Sequence, residues 1–310
     1  MKHYVGIDVG GTRLKAGLVN ERHEVVRDVV AWVEDGPRLD GDALAQRLAS
    51  LIDEVCAGVR PVLVGLGLPG VIDRERGLVC RSPNFPTWRN VPIQRRVSDL
   101  SGHAVVLDND ANCVIAGEAL RGAGAGRGDL IGLTLGTGVG GGIILGGAMW
   151  RGARGMAGEL GHICVDPSGP PCGCGSRGCL EMYPSVNGLR VQARAHGPID
   201  GVDLDAADLP EQLAIRARAG DPKALACFHS VAGPFGRGLG SLLNIFDVKT
   251  VVLAGGVAHT WDLMAETALA ALRGASFPEI ADGVEVHVGT LGERAGILGA
   301  AFQWQLQPHH

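Results

Sequence analysis

The sequence predicts an α/β fold of two lobes with a cleft between them, on three observations. Its 310 residues amount to about two domains at ~150 residues each. Strand-like apolar runs alternate with helical stretches in α/β order. The opening pattern of strand, glycine turn and strand also returns near residue 130, a weak internal repeat.

In chain order, strands are expected at "HYVGIDV" (3–9), "RLKAGLV" (13–19) and "EVVRDVVAWV" (24–33). A helix from about Asp40 to Val59 follows, then the strand "VLVGLGL" (62–68). "VPIQRRVSDLSG" (91–102) reads as helix, "AVVLDND" (104–110) as strand, and "ANCVIAGEALRGAG" begins a helix. The pattern restarts at "LIGLTL" (130–135), a glycine turn and "VGGGIIL" (139–145). Long helices are expected between Leu209 and Phe246. After them come the strand "VKTVVLAGG" (248–256), a helix from Thr260, the strand "VEVHVG" (284–289) and a closing helix, "RAGILGAAFQW". The first lobe is expected over residues 1–120 together with the closing helix, 295–310, and the second over 121–294. The last four residues, "QPHH", resemble a tag remnant.

Composition excludes several function classes. Hydrophobic residues are 46% and charged residues 20%, an ordinary globular balance. A net charge of −5 gives no general attraction for nucleic acid or an anionic membrane, so a small anionic ligand needs a local cradle. Residues 130–150 carry no charge and have membrane-spanning length, but eight glycines make them a strand–turn–strand rather than a membrane helix. The N-terminal apolar run breaks at Asp8, too early for a signal-peptide core. A reducing cytoplasm is therefore expected, where clustered cysteines bind metal more often than they form disulfides.

Glycine is abundant, with 49 residues against an average share of ~7%. Three apolar runs end in glycine clusters: "DVGGTRLK" (8–15), "LGTGVGGG" (135–142) and "LAGGV" (253–257). Such turns let backbone N–H groups crowd around phosphate oxygens. Thr12 adds a hydroxyl, and Asp8 a carboxylate able to hold Mg²⁺ through water. Gly136, Gly138 and Gly141 match G-x-G-x-x-G, as do Gly65, Gly67 and Gly70, yet strands rather than helices follow them. The dinucleotide fingerprint fails on that context, and no G-x-x-x-x-G-K-[ST] occurs.

"LDNDAN" sets Asp108, Asn109 and Asp110 between a strand and a helix. An aspartate there can accept a hydroxyl proton in phosphoryl transfer, or it can simply cap the helix. Among eight cysteines, Cys172, Cys174 and Cys179 lie together, with His162 ten positions upstream. One imidazole and three thiolates make a closed tetrahedral set suited to structural Zn²⁺. Cys56, Cys80, Cys113, Cys164 and Cys227 read as core residues.

Together "DVGGTRLK", "GLPGVID", "SPNFPTW", "LDNDAN", "LGTGVGGG", "GELGHI", "CGCGSRGCLE" and "LAGGV" resemble the ROK family of sugar kinases and repressors, in the actin/hexokinase superfamily. The resemblance implies two ribonuclease H-like, actin-like lobes and Asp110 as the base for a hexose C6 hydroxyl. It implies sugar contacts from Gly70, Asn84, Asn109, Glu159, His162 and Glu181, with one His162 nitrogen on zinc and the other toward the sugar. It also implies an ATP cradle of Asp8, Gly10, Gly11, Thr12, Lys15, Gly136, Thr137, Gly138, Gly140, Gly255 and Gly256. The expected ligands are a hexose, ATP, Mg²⁺ and structural Zn²⁺, with no nucleic acid and a homodimer as the family tendency. The family's repressors carry an N-terminal winged-helix domain, for which the strand starting near His3 leaves no room. Glucose is the simplest substrate. Mannose, allose, N-acetylmannosamine, N-acetylglucosamine and a non-catalytic sugar sensor stay open, and the pocket around Gly70, Asn84 and Met182 is expected to decide among the sugars.

Overall fold

The computed structural model describes residues 1–33 and 36–307. Residues 308–310, which belong to the expected tag remnant and to the end of the expected closing segment, lie outside the described residues. Packing divides the chain into two units. The first holds Met1–Gly128, Gly142–Gly158 and Thr290 onward; the second holds Asp129–Gly141 and Glu159–Gly289.

The first unit opens with β1 (His3–Val9), β2 (Arg13–Asn20) and β3 (Val25–Trp32), followed by helix α1 (Gly41–Cys56). Asp40 starts that helix by accepting the Asp42 and Ala43 amides. Leu44, Leu48, Leu51, Ile52 and Val55, at helical spacing, bury one stripe against the sheet. Then come β4 (Val64–Leu68), the hairpin β5 (Val71–Asp73) and β6 (Leu78–Arg81), α2 (Ile93–Ser101), β7 (Val105–Asn109) and α3 (Asp110–Arg121). The sheet order is β3-β2-β1-β4-β7, with β1 antiparallel to β2 and parallel to β4, and β4 parallel to β7.

The strands β8 (Leu130–Leu135) and β9 (Val139–Leu145) form the expected hairpin over the uncharged stretch, and β9 leads to β10 (Ala148–Met149). Among the described residues no helix is long and apolar enough to cross a membrane. The second unit continues with α4 (Val186–His196), α5 (Leu209–Arg218), α6 (Pro222–Phe246), β11 (Thr250–Ala254), α7 (Ala265–Ala275), α8 (Pro278–Ala281) and β12 (Glu285–Val288). Its sheet sets β8 between β9 and β11, with β12 parallel to β11 at the edge. The helix expected from Thr260 begins only at Ala265. Gly256–Leu263 winds as a 3₁₀ helix instead, with the Thr260 hydroxyl bonded to the Val257 carbonyl at 2.7 Å.

The closing helix α9 (Arg294–Phe302) returns to the first unit. It can do so because β1 and β4 present Gly6 and Gly65, where a Cβ would overlap the Ile297 and Ala300 carbonyls. The division differs from the expected one in two respects. The changeovers fall at 128/129 and 289/290, and residues 142–158 pack with the first unit. The physical reason for the second is Arg151, buried within the first unit's core and paired there with Asp108.

Candidate active site

In the first unit, the β1–β2 turn is closed by the Gly10 amide on the Arg13 carbonyl at 2.9 Å. Asp8 lies near the end of β1, between the buried Ile7 and Val9, and opposite Lys15 in register. Burial pushes the Asp8 carboxyl above its usual range, and Lys15 pulls against that shift. Glu293, ahead of α9, bridges Arg13 at 2.9 Å and Lys15 at 3.2 Å. Gly296 closes the back of Asp8, since a Cβ there would come 2.8 Å from its Cγ. A buried carboxylate raised by desolvation regains its charge beside a cation, so Asp8 suits Mg²⁺.

The sugar-binding candidates of this unit surround the end of β7. The Asn109 side-chain oxygen accepts the Ala111 and Asn112 amides, so Asn109 is the cap of α3. Its amide nitrogen donates to the Gly70 carbonyl at 3.1 Å, leaving one N–H of that group for a ligand. Gly70 sits at φ 116°, and a Cβ there would strike the Arg81 carbonyl. Gly70 therefore contributes backbone, in a conformation that glycine alone adopts readily. Asp110 is the first residue of α3, and one carboxylate oxygen accepts the Ala111 amide at 2.9 Å. The helix does not need it as a cap. Asn84 lays its side-chain amide against Gly11.

Sequence reasoning missed what lies beneath this turn. Asp108 is 2% exposed and takes Arg151 Nε and Nη2 at 2.9 and 2.8 Å, with Arg74 at 3.4 Å. Its other oxygen accepts the Asn109 amide and the Asn112 side chain at 2.9 and 3.1 Å. The Asp108 side chain thereby fixes the turn from which Asp110 projects.

In the second unit, the β8–β9 turn is drawn in by the Gly136 amide on the Gly138 carbonyl at 3.0 Å, and the Val186 amide binds the Gly136 carbonyl at 2.9 Å. Thr137 and Gly140 flank this turn. Gly255, at φ 89°, leads into Gly256, and a Cβ at Gly255 would lie 2.5 Å from the Leu135 carbonyl. The turns at 136–140 and 255–256 thus meet at the end of β8, with N–H groups and little side chain.

The ligand atoms of His162, Cys172, Cys174 and Cys179 all lie within 4.8 Å of one another. Cys172 Sγ is 3.6 Å from His162 Nδ1, and Cys174 Sγ is 3.7 Å from Cys179 Sγ. A tetrahedral zinc with ordinary bond lengths sets sulfurs ~3.8 Å apart and sulfur ~3.6 Å from nitrogen. The four residues therefore fit zinc in type, number and spacing. His162 turns Nδ1 to the thiols and Nε2 toward the Glu159 carboxylate, 3.9 Å away. Burial raises the Glu159 pKa, and His162 opposes the rise. Glu181 Oε1 lies 2.9 Å from Cys172 Sγ and 3.5 Å from His162 Nδ1.

Residues 4–307 match the ROK family model. The chain belongs to the ROK family. It is 37% identical over 306 residues to the glucokinase of Thermotoga maritima, covering 96% of this chain and 95% of that protein. Among solved structures it is similar to the ROK hexokinase of Thermus thermophilus, at 36% identity and a TM-score of 0.80, with 97% of each chain covered. It is also similar to a ROK family glucokinase of Streptomyces griseus in complex with glucose and AMPPNP. That likeness has 34% identity and a TM-score of 0.82, over 96% of this chain and 98% of the other. The ROK chain thus has its expected two α/β lobes. Of the expected site residues, one set gathers in each unit.

Proposed function

We propose that the protein is an ATP-dependent hexose kinase that phosphorylates the C6 hydroxyl, most simply of glucose. The observation that carries this reading is the start of α3. Asn109 is the cap of α3, and Asp110 follows it at the end of β7, in a turn held by Asp108 and Arg151, where strand ends gather ligand chemistry in open α/β sheets. The similarity to glucokinases supports the same choice of substrate.

A hexose hydroxyl keeps its proton at neutral pH and attacks phosphorus poorly. Asp110 takes that proton as the C6 oxygen bonds to the γ-phosphorus, and the bond to the bridging β–γ oxygen breaks, its electron pair leaving with ADP. Asn84, the Gly70 backbone and the remaining Asn109 N–H orient hydroxyls, as do Glu159, His162 and Glu181 in the second unit. Backbone amides of Gly11, Gly138, Gly140, Gly255 and Gly256, with the Thr12 and Thr137 hydroxyls and Lys15, take the nucleotide phosphates, while Gly10 and Gly136, whose amides close the two turns, set the shape of the cradle. Asp8 is the residue to hold Mg²⁺, which neutralises developing phosphate charge when bound. His162, Cys172, Cys174 and Cys179 are the residues to hold zinc, a structural cross-link with no open coordination position. Cytoplasmic work and a homodimeric state belong to the same proposal, the second resting on the family resemblance.

The test is ADP release measured over a panel of glucose, mannose, allose, N-acetylmannosamine and N-acetylglucosamine. Glucose is expected to give the highest kcat/KM. Hexose binding without ADP release from any sugar would replace the kinase reading with a sugar sensor.

A further inference from the structure

Glycines in the two phosphate turns are usually explained by the room they give a phosphate. Gly136 fits that account: a Cβ there would meet nothing within 4 Å. Gly138, two residues on in the same turn, does not. A Cβ at Gly138 would lie 2.6 Å from Glu181 Oε2. The other Glu181 oxygen is already against Cys172 Sγ at 2.9 Å and near His162 Nδ1 at 3.5 Å. The carboxylate thus lies between the turn and the Cys/His cluster. The first unit repeats the arrangement. A Cβ at Gly11 would lie 2.9 Å from Asn84 Nδ2, while the Asn84 backbone is held by the Ser82 hydroxyl at 3.3 Å.

Neither Gly11 nor Gly138 has a positive φ, so backbone conformation does not demand glycine at either position. In both cases the atom in the way belongs to the tip of a sugar-binding candidate. We propose that Gly138 and Gly11 are positioning residues for the sugar, acting as the seats of Glu181 and Asn84. Each phosphate turn then presents backbone N–H groups to the nucleotide and sets a sugar-facing side chain with the same few residues. This inference rests on the hexose-kinase reading above and assigns the two glycines a second task within it.

An alanine at either seat relieves the overlap most cheaply by moving the side chain, because a tip rotates more easily than a packed turn shifts. The consequence is lost sugar affinity even without nucleotide. The experiment is calorimetric titration of glucose into the full chain in the absence of ATP, for wild type, Gly136→Ala, Gly138→Ala and Gly11→Ala, with KM for ATP measured alongside. Gly138→Ala is expected to weaken glucose at least about tenfold, the loss of one charge-assisted hydrogen bond, and Gly11→Ala by a smaller factor. Gly136→Ala is expected to raise KM for ATP while glucose affinity stays within about twofold. A double-mutant cycle separates displacement of Glu181 from general damage. In a Glu181→Ala background, Gly138→Ala should cost no further glucose affinity. Gly138→Ala binding glucose like wild type, or costing as much in the Glu181→Ala background as alone, overturns the proposal. If wild type binds no hexose, the kinase reading falls first and takes this inference with it. If wild type binds glucose and Gly138→Ala does too, only the inference falls.

Discussion

The β1–β2 turn of the first unit and the β8–β9 turn of the second begin from one plan and end as different devices. Each joins two strands through glycines, and each lies against a side chain expected to bind sugar. The first is rich in charge: Asp8, Arg13 and Lys15 within eight residues, answered by Glu293. The second, residues 135–142, has no ionisable side chain. It is set by backbone bonds from Gly136 and Val186 and by the Gly255 turn beside it. A carboxylate that lies against it, Glu181, comes from the cysteine loop. On the proposed function, proton and cation chemistry fall to the first unit, and N–H contacts to phosphate, beside the His162/Cys172/Cys174/Cys179 cluster, fall to the second.

The largest effect should come from removing the proposed base, Asp110. Asp110→Asn keeps size and most hydrogen bonding but cannot accept a proton. General-base assistance is worth 10²–10⁴-fold, about 3–5 kcal/mol of barrier. We expect kcat to fall at least about a hundredfold, with glucose affinity changed far less. Because Asn109 already caps α3, thermal stability should barely move. Near-wild-type turnover would place the chemistry elsewhere and undo the contrast between the units.

Next comes the ionic support of that base. Arg151→Met leaves Asp108 with Arg74 as its remaining cationic partner, at 3.4 Å. Breaking a buried pair in this way costs ~3–5 kcal/mol, which in a protein of this size lowers Tm by roughly 5–8 °C. A Tm within about 2 °C of wild type would show the network to be dispensable. In the second unit the corresponding support is the loop that carries Cys172, Cys174 and Cys179, proposed to bind zinc. Cys174→Ser should cut metal affinity by at least ~10–100-fold, bringing zinc in the purified protein well below one equivalent. Glucose binding should weaken with it through loss of local order. A zinc-free wild type with full activity would remove the metal from the account of this loop.

How far these features were legible depended on the distance over which each is encoded. The glycine turns, the strand ends and the His162–Cys179 set are local patterns, and local patterns survive in a single sequence. Which aspartate or asparagine caps α3 was not legible. Asn109 and Asp110 are equally good caps by type, and only the observed bonds from Ala111 and Asn112 to Asn109 decide. The pairing of Asp108 with Arg151 spans 43 residues, and no periodicity announces it. That same pair moved residues 142–158 into the first unit. The pairing of the strand after Gly70 with β6, and helix α4, were also missed, although Ser185 does cap α4 by accepting the Gly188 amide. Short strands of three and four residues carry too little alternation to stand out.

The smallest expected effect probes the first turn alone, and it has two signs. Burial raises the Asp8 pKa in the folded protein above its unfolded value, so the native state binds a proton there more readily than the unfolded chain does. Stability contributed by that group is present below the unfolded pKa and lost as pH rises through the folded pKa. At neutral pH an ionised Asp8 therefore costs stability, which is the strain of holding a carboxylate ready for a cation. Asp8→Asn should raise Tm in the absence of ligand, each kcal/mol recovered being worth about 1.5 °C. The same change should raise KM for Mg·ATP and lower kcat, with glucose binding without nucleotide left near normal. The gain in Tm should shrink as the pH of the melt is lowered toward the carboxylate range, because wild type then protonates Asp8 and loses its disadvantage. A variant less stable than wild type at neutral pH would mean that Lys15 and Arg13 more than offset the burial of Asp8. Equal loss of glucose affinity would mean that Asp8 serves the sugar as well as the nucleotide.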